Sequence, residues 1–195
     1  MFFAVVFVLG ILSMGFQLLA SRLLNPHFGS SIVVWAWLIS SFLAAFSVGS
    51  IVGGWTSQIA LQYQGRVRGV QALAAVVSLA LTAGFGRAVL DRVEVRFESI
   101  QTALFVSCMA LFFVPVTALS TFGPHCVQWL DARGMPAGKA SGWVYGVTTL
   151  GNIAGVMFTA FALIPTFRVS VLLWLWLGVA VTSLVTLLLM LRSDR

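Results

Sequence analysis

Val169-Ser-Val-Leu-Leu-Trp-Leu-Trp-Leu-Gly-Val-Ala-Val-Thr-Ser-Leu-Val-Thr-Leu-Leu-Leu-Met-Leu191 contains no charged residue and no proline. A helix needs about 20 predominantly apolar residues to cross the hydrocarbon of a bilayer. This run is long enough, so it reads as a membrane-spanning helix. Five more such runs precede it, at about Phe2–Leu24, Ser31–Ala60, Val70–Leu90, Ile100–Thr121 and Ala140–Ile164. The expected fold is an all-α integral membrane protein, a single transmembrane domain over residues 1–195 built as a bundle of about six helices. The second run is long and is expected to tilt.

Composition agrees. The chain is 60% hydrophobic and 8% charged, against roughly a quarter charged in soluble domains. Its mean hydropathy is +1.04. The net charge of +6 does not point to nucleic acid, because the basic residues are scattered between apolar runs and form no stripe. They suit membrane topology and lipid headgroups instead. The N-terminus has no basic residue before its long apolar run, so it reads as a retained helix rather than a leader. Cys108 and Cys126 read as two free thiols, Cys126 in a loop. With His27 and His125 isolated in loops, no metal-ligand spacing exists. No cofactor is expected.

The connections read as short. Asn25-Pro26-His27-Phe28-Gly29-Ser30 is a turn, with Pro26 ending the first helix and Ser30 capping the second. Gln62 to Arg68 reads as a basic loop and Asp91 to Glu98 as a charged one. Residues 122–139 are the longest connection. Cys126-Val-Gln-Trp-Leu130 within it is expected to lie flat in the interface, with Trp129 and Leu130 as a docking surface for a partner. Pro115 is expected to kink the fourth helix, and Pro165 to end the fifth.

With the N-terminus inside, the inner side carries Arg66, Arg68, Arg133, Lys139, Arg192 and Arg195. The outer side carries Arg22, Arg87, Arg92, Arg96 and Arg168. The excess favours both termini in the cytoplasm.

Small residues recur at helix-packing spacing: Gly49 and Gly53 in the second helix, then Gly142 and Gly146, and Gly151 and Gly155, in the fifth. Such pairs let backbones approach closely where lipid supplies no hydrophobic drive. The fifth helix also carries a polar stripe of Thr148, Asn152, Gly155 and Thr159, with Tyr145 a turn below. The second carries Ser40, Ser47, Ser50 and Gly54 on a similar stripe. Two such faces either satisfy each other or line a polar path. Gln17 lies deep in the first helix and is expected to bond a neighbouring helix. Arg22, near that helix's end, reads as an interfacial anchor or a buried charge. All five carboxylates fall in loops or the tail, and no base–nucleophile pair, phosphate loop or metal motif is evident. No catalytic residue is expected.

Two stretches resemble a known family. One is Gln17-Leu-Leu-Ala-Ser-Arg-Leu-Leu-Asn-Pro-His-Phe-Gly-Ser-Ser31, continuing to Gly49-Ser-Ile-Val-Gly-Gly54. The other is Gly142-Trp-Val-Tyr-Gly-Val-Thr-Thr-Leu-Gly-Asn-Ile-Ala-Gly155, continuing to Leu163-Ile-Pro165. Both look like the membrane domain of spermidine-synthase-like proteins, the fused major-facilitator/spermidine-synthase family. The positions matching its motifs are Gln17, Arg22, Gly53, Gly54, Gly151 and Gly155. The resemblance implies cytoplasmic termini and a bacterial inner membrane. It also implies a following aminopropyltransferase-like domain, which is not expected on this chain. The family usually has Glu where Gln17 stands, and charged residues where Trp55-Thr-Ser-Gln58 stands.

The leading expectation is a non-catalytic membrane subunit in a protein complex. Its partner would be another membrane or cytoplasmic protein, such as a separately encoded synthase-like chain. The alternative is a small-molecule transporter built as a homodimer of six-helix units. A lipid- or quinone-acting membrane enzyme ranks last.

Overall fold

The computed structural model describes residues 1–192. Arg195 of the charge count, and Asp194, lie outside the described residues. The chain is all-helical, with no strand among the described residues. Six helices are long and apolar enough to cross a membrane, so the chain is an integral membrane protein. In order they are α1 (Phe2–Phe28), α2 (Ile32–Ser57), α3 (Leu61–Arg96), the segmented span α4 (Ile100–Cys108), α5 (Val114–Ser120) and α6 (Phe122–Asp131), then α7 (Ala137–Phe158) with α8 (Ile164–Thr166), and α9 (Val169–Arg192).

Six spans bring both termini to one end of the bundle, here the terminal end. The Phe2 ring stacks on Trp129 at the end of α6, with centroids 4.4 Å apart. The Arg68 guanidinium near the start of α3 donates to the Leu191 carbonyl near the end of α9. At the opposite end, His27 of α1 meets Glu94 of α3.

Several boundaries differ from expectation. Helix α3 begins at Leu61 and runs to Arg96, so both the basic stretch Gln62–Arg68 and most of Asp91–Glu98 are helical. Hydropathy marks where side chains prefer lipid, whereas a helix of Gln, Arg, Val and Glu continues into the headgroups without penalty. Pro26 sits inside α1, which ends at Gly29 instead. There φ is +72°, a left-handed conformation suited to glycine. The cap of α2 is Ser31 rather than Ser30: its Oγ accepts from the Val34 N–H at 3.3 Å.

Residues 122–131 do not lie flat in the interface. They continue the fourth span inward as α6, with Phe122, His125, Cys126 and Leu130 buried. Cys126 is therefore not in a loop. Both cysteines are buried and free.

Pro115 and Pro165 each follow a π-helical turn. Met109–Phe113 precedes Pro115 and Thr159–Leu163 precedes Pro165, so the fifth span runs on past Pro165 to Thr166. Pro115 has no N–H to offer the Leu111 carbonyl four residues back. The Thr82 hydroxyl of α3 donates to that oxygen at 2.7 Å, so a neighbouring helix satisfies it.

The core forms around α1, which packs on α7 and α9 and touches α2 and α3. The rings of Phe16, Phe42 and Phe112 meet with centroids 5.9–6.2 Å apart. Close approach of α1 and α7 depends on glycine: a Cβ on Gly151 would run into the Phe7 carbonyl, and one on Gly155 into the Ile11 carbonyl.

Candidate functional site

The polar faces of α2 and α7 meet across a cavity of about 760 Å³ in the terminal half of the bundle. Helices α1 and α6 supply its back wall through Leu9, Ser13, Gly123 and Cys126. Ser50 and Gly54 line it from α2, and Tyr145, Thr148 and Asn152 from α7. These five are the expected stripe residues that the structure brings together. Ser40 and Ser47 do not join them. Both are exposed on α2, and Ser47 donates to its own Leu43 carbonyl. Thr159 is fully buried one level deeper, near Gly15 and Trp176.

The lining is rich in acceptors. Ser13 donates to the Leu9 carbonyl, Thr148 to Val144 and Thr149 to Tyr145, at 2.7–2.8 Å. Each hydroxyl proton is thus used within its own helix, and the lone pairs stay free to accept. Asn152 Oδ1 is buried without a hydrogen-bond partner. A buried unsatisfied acceptor costs about 1–3 kcal/mol; Asn152 lines the cavity as a residue, while this oxygen is turned away from the open space. Asp131, at the terminal mouth, is the only charged lining residue among the described residues.

Behind α6 lies a second polar group, which the sequence reading missed. Gln64, Arg68 and Gln71 of α3 are spaced i, i+4, i+7 on one face and are buried, as is His125 of α6. Arg68 Nε donates to His125 Nδ1 at 3.4 Å. Arginine only donates, so Nδ1 accepts and the imidazole proton sits on Nε2. From there it is directed at Gln71 Oε1, 3.0 Å away. Gln71 Nε2 donates to Thr56 Oγ1 at 2.9 Å, and Thr56 to the Val52 carbonyl at 2.8 Å. The chain of donors runs one way, from Arg68 of α3 to His125 of α6, back to Gln71 of α3 and on to Thr56 of α2.

Arg68 Nη2 also donates to Gln64 Oε1 at 3.0 Å and to Gln128 Oε1 at 3.3 Å. Gln64 Nε2 ties the α2–α3 turn by donating to the carbonyls of Ser57 and Ile59. Gln128 and Ser57 also line the cavity, so the network braces its terminal wall. His125 is thus not a solvated loop histidine, nor Arg68 a loop arginine. The i, i+4, i+7 spacing, carried on unbroken into Ala75, Leu79 and Thr82, was the signal available in the sequence.

Comparison with protein-family models, curated proteins and solved structures finds no match.

The other expected positions are placed as follows. Leu130 is buried in the core, and Trp129 is half-buried between Phe2 and the Arg133 guanidinium, which lies 3.4 Å from its ring centroid. The expected docking surface there is corrected: helical continuation of the span turns Leu130 inward. Arg22 is exposed near the end of α1. Gln17 is half-buried and its side chain makes no hydrogen bond to another helix among the described residues, contrary to expectation. Gly53 packs on Thr121 of the fourth span, while Gly54 faces the cavity.

Proposed function

We propose that this chain binds a small, donor-rich polar molecule in the cavity between α2 and α7 and gives it passage through the membrane. The observation that carries this reading is a cavity of about 760 Å³ lined by Asn152 and by Ser13, Thr148 and Thr149, whose hydroxyl protons are already bonded within their own helices. Such a wall recognises amines, amides or polyols rather than anions, and Asp131 at the mouth adds to that preference. Resemblance to the membrane domain of spermidine-synthase-like proteins is part of the proposal. The stretches that carry it fall in α1, α2 and α7, three helices that wall the cavity.

The test is uptake of a panel of small amines, amides and polyols into proteoliposomes. Asn152→Leu is expected to lower uptake of the accepted compound about tenfold, the value of one hydrogen bond. Uptake that survives this change unaltered removes the site.

A second reading, a non-catalytic subunit or a homodimer of such units, rests on a different observation. Gly138, Gly142 and Gly146 follow each other at four-residue spacing on α7 with nothing within 4 Å of where their side chains would be. An open row of this kind accommodates a helix from another chain. Gly142→Leu combined with Gly146→Leu is expected to abolish in-membrane cross-linking between chains while leaving uptake per folded monomer intact.

A further inference from the structure

The molecule has a second concavity, a crevice of about 440 Å³ between the start of α3 and the end of α9. Arg66, Arg68 and Arg192 line it, with Gln62 on the rim and Leu188 and Leu191 on the wall. We propose that this crevice holds the phosphate of an anionic phospholipid, with the adjoining acyl chain lying along Leu188 and Leu191.

Position argues for a lipid. The crevice sits where two spanning helices end, one at Arg192 and the other at Gln62, which is headgroup depth. Leu188 is half-buried and Leu191 buried there, so apolar wall continues directly below the charges. Chemistry argues for phosphate. Arg66 and Arg192 are exposed at the rim, and a guanidinium grips phosphate oxygens through paired N–H donors. Arg68 contributes differently. It is buried and its Nη1 donates to the Leu191 carbonyl at 3.3 Å, so it fixes the end of α9 and with it the place of Arg192.

No acidic residue among the described residues lines the crevice. At the opposite end the arginines are interleaved with Asp91, Glu94 and Glu98. That contrast supplies the control. An anionic headgroup is favoured over a zwitterionic one, whose ammonium would face the same arginines.

The full chain is placed in nanodiscs of equal parts phosphatidylcholine and phosphatidylglycerol, and retained lipid is identified by native mass spectrometry. Phosphatidylglycerol is expected to be retained with a preference of roughly thirtyfold, from two basic residues near the headgroup plane. Arg66→Gln with Arg192→Gln should remove most of that preference, and Arg92→Gln with Arg96→Gln should not. Equal retention of the two lipids, or equal loss in both double variants, overturns the assignment. So does displacement of the retained lipid by inorganic phosphate at millimolar level, which would mark a free-phosphate site. If the first double variant does not fold, the unaltered chain decides: rising salt should erode the preference, and a flat response overturns it.

Discussion

His27 and His125 look alike on paper. Each follows a proline, in Asn25-Pro-His27 and Gly123-Pro-His125. In the folded chain both tie another helix to α3, one at each of its ends. His27 reaches Glu94 at 2.8 Å and Asp91 at 3.8 Å, on a side of the bundle where those carboxylates are at least half exposed. His125 is fully buried and relays a one-way series of hydrogen bonds from Arg68. The difference teaches that the helix around a histidine, rather than its immediate neighbours in sequence, decides its role. Pro26 comes in the last turn of a helix, whereas Pro124 opens one that points back into the core.

Stability in bicelles or detergent, measured by reversible denaturation, should fall by graded amounts when the two ends are altered. Arg68→Met should cost the most, about 3 kcal/mol, because it strands buried partners on α6, α9 and α3 itself. If the loss is no larger than that of a surface arginine such as Arg92→Met, the buried network is not what holds this end. His125→Leu should cost about 2 kcal/mol, since Gln71 and Arg68 each lose a partner. His125→Gln should recover part of this, and equal losses for Leu and Gln would show that only volume matters there.

Midway along the same helix, Thr82→Val frees the Leu111 carbonyl that Pro115 cannot bond and should cost about 1 kcal/mol. His27→Ala should cost the least, under about 1 kcal/mol, and its effect should shrink further in high salt. A salt-insensitive loss at His27, or a salt-sensitive one at His125, would break the contrast between the two ends.

The amino-acid sequence disclosed the spans because side-chain transfer energies decide which residues enter lipid. It disclosed half of the candidate site for a related reason. Ser50, Gly54, Tyr145, Thr148 and Asn152 are polar residues in apolar surroundings, and helical spacing set them on common faces. Ser40 and Ser47 carry the same chemistry but sit on α2 where nothing faces them, and no local pattern distinguishes the two outcomes. The Arg68 network stayed hidden because Gln64, Arg68, His125 and Gln128 lie in polar stretches. A polar stretch beside a span looks like a loop whether it is solvated or folded against the next helix. Gln17 and Leu130 were misjudged for the opposite reason, their exposure being set by neighbours far away in the chain.

The two π turns carry a consequence for how the fourth and fifth spans are phased. Each extra residue wound into a turn rotates everything after it by about 100° relative to an ordinary helix. The face that α4 presents before Met109 is therefore not the face that α5 presents after Phe113, and the same holds on either side of Thr159–Leu163. The fourth span is in effect two half-helices set at different angles on one axle, whereas in the fifth only Ile164–Thr166 follows the turn. Unwinding the added residue of the fourth span would swivel its second half, with the end it carries, against the first.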